Sequence, residues 1–472
     1  METKVFTTSK SKEIENSVSC NACKQCSPLG SSIAFKGIRG CVPLIHGSQG
    51  CATYIRRYLI SHYREPVDIA SSNFSEESTI FGGNKNFNVG IQNIIDHYNP
   101  EFIGISSTCL SETIGEDVEH LINEFKQIKK YDNVPEMVFA STPSYNGTHA
   151  DGFHQAVLAT IIKLAENTLL SDHVNIFPGF VSPEDLRQLK RIFSDYNLNY
   201  VMFPDYSETL DNPIWEEYKR IPEGGTTIPE LVSTASARAT IEFGLILNKG
   251  MLKGRIKSKG TIISSGEFLK NKFNVDYYNI PFPIGINLTD QFFSLLTKIT
   301  GQKMPEEYQK SRGRLIDSYV DGHKYMKAKR AIIYGDEDMI VSMNSFLQET
   351  GIEVVLCASG GESGLLEKTL RVVMQENYKE SMKVIEGIDF DSINSLIPEL
   401  KPDIIIGNSK GYYLSRKYSI PFVRIGFPIH DRMGAQRVKH LCYEGTQNLY
   451  DKIVNAIIEK MQDSSVTGYK YM

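Results

Sequence analysis

FIGISSTCLSETIGEDVEH, Phe102–His120, is the stretch whose reading decides the fold. Its first six residues are apolar and β-branched, the pattern of a strand covered on both faces in a parallel sheet. A short Ser/Thr/Cys junction follows, and the acids Glu112, Glu116 and Asp117 then favour a helix start, because carboxylates stabilise the positive end of the helix dipole. A strand feeding a helix in this way is half of a βα unit. A side chain in the junction lies at the strand's carboxyl end, where open α/β sheets bind ligands. Cys109 stands there.

The pattern repeats outward along the chain. MVFAS at 137–141, VNIFPG at 174–179, YVMFPD at 200–205, RAIIYG at 330–335, EVVLCA at 353–358, DIIIGN at 403–408 and FVRIG at 422–426 read as further strands between amphipathic helices. The fold class expected is α/β, with three Rossmann-like domains, each a mostly parallel sheet flanked by helices. The expected boundaries are a frayed tail over 1–18, a first domain over 19–169, a second over 170–325, and a third over 326–472 with a C-terminal helix. The break near 170 follows the helix-like FHQAVLATIIKLAENTLL; the one near 325 lies in RGRLIDSYVDGHKYMKAKR, a long amphipathic helix.

Composition narrows the function. The 472 residues carry a net charge of −5 with no long basic run, which argues against nucleic acid as a partner. The N-terminus has no apolar leader and no stretch approaches the roughly 20 apolar residues that span a bilayer, so a cytosolic protein is expected, with no membrane partner. Eight cysteines are too few for a disulfide scaffold, and six of them (Cys20, Cys23, Cys26, Cys41, Cys51 and Cys109) fall in the first quarter.

Cys51 follows Gly47, Ser48 and Gly50 at the first turn of a helical segment, where the dipole favours a thiolate and glycine amides can approach a sulfur. Cys26 precedes Ser-Pro-Leu-Gly, with Pro28 at a helix start. Cys20, Cys23 and Cys26 form C-x₂-C-x₂-C, but no fourth cysteine with its proline follows, so neither a self-contained ferredoxin-type cluster nor a structural zinc is complete.

These residues resemble a known family. CSPLGSSIAFKGIRGCVPLIHGSQGCATYIRRYLISHYREP (26–66), FGG (81–83), TCLSETIGEDV (108–118), TPSYNGTH (142–149), PEGGTT (222–227), GNSKG (407–411) and RIGFPIHDRMG (424–434) are similar to β-type subunits of nitrogenase component 1. The resemblance implies that Cys26, Cys51 and Cys109 hold an iron–sulfur cluster, a [4Fe-4S] or the [8Fe-7S] P-cluster, and that Ser144 can add a ligand on oxidation. Three thiolates from one chain imply a cluster shared with a homologous α-type or E-type subunit in an α2β2 heterotetramer, with the iron–molybdenum cofactor or its precursor on that partner. An ATP-dependent iron-protein reductase would supply electrons, since this chain has neither G-x-x-x-x-G-K-[ST] nor a Rossmann G-x-G-x-x-G.

Two branches stay open. SSIAFKG, MPEEYQKSRGRLIDSYVDGH (304–323) and DRMGAQRVKHLCYEGTQNLYDKIVN (431–455) resemble the N subunit of the scaffold on which the iron–molybdenum cofactor matures, which is the favoured reading. The full set of cysteines with Ser144 resembles the catalytic β chain. A non-redox carrier subunit is the alternative of another class. Around the cysteines, His46, Gly50 and Arg56 are candidates to tune the cluster, set against structural roles in loop geometry and solvation. Cys20 and Cys23 are expected to be exposed or loosely buried. His323 and His430 are expected to be structural, and so are the acids of the 112–117 turn.

Overall fold

The computed structural model describes residues 23–128, 134–167, 171–246 and 264–467. The expected tail over 1–18, and Cys20 with it, lies outside these residues. The first sheet comprises β1 (Cys41–His46), β2 (Ala70–Ser71), β3 (Phe102–Ser107) and β4 (Glu136–Ala140), in the order β2-β1-β3-β4. The second has β5 (Val174–Phe177), β6 (Tyr200–Met202), β7 (Ala239–Phe243) and β8 (Asp276–Ile280), in the order β6-β5-β7-β8. The third has β9 (Arg330–Tyr334), β10 (Glu353–Ala358), β11 (Lys383–Ile385), β12 (Ile404–Gly407) and β13 (Phe422–Arg424), in the order β11-β10-β9-β12-β13. Every strand pairing is parallel. The fold is α/β, as the sequence pattern requires.

The strands of the first sheet show why. Both β1 and β3 are buried along their whole length, so each face needs a cover. Successive side chains point to opposite faces. Val42, Leu44, Ile103 and Ile105 pack with Phe87, Ile91, Ile94, Leu121, Ile122 and Phe125 from the helices Asn84–Tyr98 and Val118–Ile128. Cys41, Ile45 and Phe102 turn the other way, into a core shared with the helices Ser27–Lys36 and His149–Leu164 that continues into the second and third sheets.

Those last two helices cross backbone to backbone. A Cβ on Gly30 would stand 1.7 Å from the His149 carbonyl oxygen, and one on Gly152 would stand 1.9 Å from that of Ser27. Only glycine permits this approach. The crossing brings the start of the Ser27–Lys36 helix, all ten residues of which are buried, beside the start of His149–Leu164.

The structure corrects one expectation here. Cys23 is 5% exposed and packs in the third sheet's core with Ile332, Tyr334, Leu356 and Phe390, instead of lying loosely in a lead-in. Burial pushes its thiol up to about 12, so it stays protonated and inert. Its backbone runs against Gly360, where a Cβ would meet the Cys23 carbonyl at 2.5 Å. Among the described residues, no helix is long and apolar enough to cross a membrane.

Candidate functional site

Adjacent strands β1, β3 and β4 run in register, His46 against Ser107 and Ser106 against Ala140. Their carboxyl ends therefore deliver Cys51, Cys109 and Ser144 to one edge of the sheet. Each cysteine sits at a helix start. Cys26 is the N-cap of Ser27–Lys36, Cys51 lies in the first turn of Gln49–Tyr63, and Cys109 is the first residue of Cys109–Thr113. Positive helix ends thus converge on the sulfurs.

Ser144 ties the site together. Its backbone N–H donates to Cys109 Sγ at 3.2 Å, and its Oγ accepts the N–H of Ser27, the residue next to Cys26, at 3.2 Å and favours the Cys26 thiolate. Ser48, the N-cap ahead of Cys51, makes no capping bond with its side chain; its hydroxyl faces Cys51 Sγ at 3.5 Å. An N-cap serine that gives up about 1 kcal/mol of capping for a sulfur contact marks that sulfur as special.

The thiol of Cys26 is raised above its ordinary value, first by burial, and further by the charges of Cys109 and Cys51, while Ser144 opposes the rise. The three sulfurs therefore share one electrostatic neighbourhood. Cys26 and Cys51 are half-buried and Cys109 is exposed, so the site opens outward, where a neighbouring chain can complete it. Cys41 and Cys357, by contrast, are buried, with thiols pushed to about 12. Buried Cys442 is likewise raised, well above its ordinary value.

The residues offered as tuning groups have other partners. His46 is fully buried, its Nδ1 3.1 Å from Ser72 Oγ and its Nε2 3.3 Å from Glu116, between Phe74 and Phe87. These partners hold it in the loop that carries Gly47 and Ser48. Arg56 Nε donates to the Val67 carbonyl at 3.2 Å and its guanidinium lies 3.8 Å from Asp68. Gly50 is open, with only Ser48 Oγ within 4 Å of a would-be Cβ. The demanding glycine is Gly47, whose Cβ would stand 2.3 Å from Thr108 Oγ1, because here the Cys51 and Cys109 loops touch.

The acids of the 112–117 turn are structural. Glu112 accepts the Ser107 and Ser141 hydroxyls at 2.6 and 2.5 Å, and Asp117 accepts the His120 N–H at 3.0 Å. Glu116 is held below the usual carboxylate range, chiefly by His46. His323 and His430 are exposed. The most informative unanticipated neighbours are Tyr54, whose hydroxyl donates to Gln25 Oε1 at 2.7 Å, and His149. Both reach Gln25 across more than 25 residues of sequence, a relation no local pattern reveals.

Among the described residues, no three His, Cys, Asp or Glu side chains are arranged to hold a single metal ion. Three soft thiols, spread over three loops and each supported by a hydrogen-bonding group or a helix end, suit a polynuclear iron–sulfur cluster, in which each thiolate takes a different iron.

Comparison with known proteins agrees with this geometry. The family described as "Nitrogenase component 1 type Oxidoreductase" matches residues 26–458. The chain is 35% identical to the nitrogenase molybdenum-iron protein beta chain of Clostridium pasteurianum over 447 residues, 94% of each chain. It is 32% identical to that of Azotobacter vinelandii, over 94% of this chain and 85% of that one. The solved structure "Nitrogenase Cp1 at pH 6.5" superposes with a TM-score of 0.90 at 33% identity, covering 99% of this chain and 98% of that chain. The chain belongs to the nitrogenase component 1 family, as a β-type subunit.

Proposed function

We propose that Cys26, Cys51 and Cys109 hold an iron–sulfur cluster shared with a homologous partner chain, in the scaffold on which the iron–molybdenum cofactor matures. The observation that carries the cluster is that Ser144 bonds both Cys109 Sγ and the N–H of Ser27 beside Cys26, with Cys51 in the same electrostatic neighbourhood. When bound, the cluster supplies one-electron storage and transfer. This chain's residues supply the cradle. Burial and the other two sulfurs make the Cys26 thiol keep its proton until a cation takes its place, so loading releases protons and favours the assembled state. Ser144 orients two of the sulfurs at once and is placed to follow a change in their charge.

The cofactor or its precursor belongs to the partner on this reading, in an α2β2 complex served by a separate ATP-dependent reductase. The segments 31–37, 304–323 and 431–455 support the scaffold branch by resemblance. A second reading, the catalytic β chain, is favoured by the names of the curated relatives and by the presence of Ser144. Anaerobically purified complex supplied with reductase and ATP separates the two. Negligible acetylene reduction is expected of a scaffold, and sustained turnover would establish the catalytic branch. A colourless complex from iron-replete, anaerobic co-expression would leave only the non-redox carrier.

A further inference from the structure

Cys26 is positioned through its neighbour. His149 grips Gln25 twice: its N–H donates to the Gln25 carbonyl at 3.1 Å, and its Nδ1 accepts the Gln25 N–H at 3.4 Å. With Nδ1 an acceptor, the ring's proton is on Nε2. Nε2 lies 3.2 Å from Asp336 Oδ1, an electrostatic contact outside hydrogen-bond geometry that ties the ring to the carboxylate, and no protein group hydrogen-bonds Nε2. The ring is 2% exposed and lies against Phe180 and Phe427.

Asp336 is itself anomalous. It is the N-cap of the helix Glu337–Glu349, yet its side chain makes no capping bond. Such a cap is worth about 1 kcal/mol, so another interaction holds the carboxylate. Asp336, Phe180 and Phe427 all line a small, partly open cavity of about 20 Å³. Across it stands His440, 2% exposed. Its Nδ1 lies 2.8 Å from Asp185 Oδ2, and Asp185 already accepts from Ser182, His440 N–H and Leu441 N–H. Asp185, fully buried and ringed by donors, must receive the Nδ1 proton too, so in the neutral ring Nε2 is an acceptor, and no protein group pairs with it. His62 also lines the cavity; its Nδ1 accepts the Ile429 N–H at 2.9 Å, which leaves the ring's proton on Nε2.

We propose that this cavity binds one internal water, which accepts from His62, donates to His440 and Asp336, and thereby completes a three-sheet network that positions the Gln25–Cys26 turn. The volume suits one water, which needs roughly 10–15 Å³ and about three polar partners. Two acceptors that line one cavity cannot pair with each other, and a water supplies both missing protons. Asp336 comes from the end of β9, Asp185 from the helix after β5, and His149 from the helix after β4. Through the 3.2 Å contact between Asp336 and His149, and the two bonds of His149 to Gln25, the network ties the first sheet's cysteine turn to the other two. Asp336 and His149 are positioning residues, and the inference rests on the reading above only for what Cys26 then does.

Hydrogen–deuterium exchange on the anaerobically purified complex tests this without reference to iron. Asp336→Leu and His149→Phe are expected to speed exchange over the peptide Lys24–Leu29 about tenfold, by freeing local opening, whereas Asp336→Asn, which still accepts from a water, stays within about twofold of the unmodified chain. A high-resolution map of the complex should show one water between His440 and Asp336. Unchanged exchange in both disruptive variants, or a map with no such water, overturns the proposal. If Asp336→Leu fails to fold, His149→Phe and the map decide. Normal protection in a complex without iron would sink the cluster reading and leave the network standing.

Discussion

At the scale of single residues, the site depends on which thiols lie in junctions and which lie in cores. Cys109 is exposed at a strand end and Cys357 is buried in β10 with its thiol pushed to about 12. Cys109→Ala is therefore expected to remove most of the iron from the anaerobically purified complex and abolish its paramagnetic signal, while Cys357→Ala leaves both unchanged; iron analysis with electron paramagnetic resonance checks this. A second residue sets a pH dependence. Glu337 lines the crevice between the sheets, and burial, reinforced by Glu386 and Asp151, raises its carboxyl from the ordinary 4.5 to about 8. Its folded state thus holds a proton that the unfolded chain releases. Stability from this group is complete below about 4.5, declines as pH rises, and is gone above about 8. Glu337→Gln is expected to flatten that decline in denaturation curves taken across the interval. The cysteines were legible because junction position is a local property. His149, Asp336 and Tyr54 were not, because their roles exist only through contacts 29 to 187 positions away.

At the scale of elements, the Ser27–Lys36 and His149–Leu164 helices position Cys26, and their glycine crossing is the vulnerable point. Gly152→Ala places a methyl 1.9 Å from the Ser27 carbonyl oxygen, next to Cys26, so the helices must separate. A loss on the order of 3 kcal/mol is expected, with faster loss of iron on heating; an unchanged melting temperature would contradict the packing. Strands read from uninterrupted apolar runs, such as 102–107 and 353–358, coincide with β3 and β10. Of the strands that escaped, β2 and β11 are only two and three residues long, too short for a pattern, and the other three have composite signals. β1 carries Pro43 between two cysteine motifs, β7 buries Glu242, whose carboxylate is met by Ser264 and Tyr277 at 2.7 Å each, and β8 opens on an exposed Asp276. In each, tertiary partners offset what composition argues against.

At the scale of the whole molecule, one core runs through all three sheets, and the cysteine edge of the first sheet is left open. That openness underlies the proposal that this chain holds only part of a cluster and a homologous subunit holds the rest. Sequence motifs carried the family, because the cysteine-bearing junctions are contiguous stretches of chain that can be read without the fold. They did not carry the choice between scaffold and catalyst, which depends on the partner's cofactor site. Anomalous diffraction at the iron edge, on crystals of the anaerobically purified complex, tests the claim most directly. Several iron peaks are expected, bonded to the sulfurs of Cys26, Cys51 and Cys109, with the remaining ligands from the partner chain. A complete ligand set within this chain, or three cysteines with no iron beside them, would contradict it.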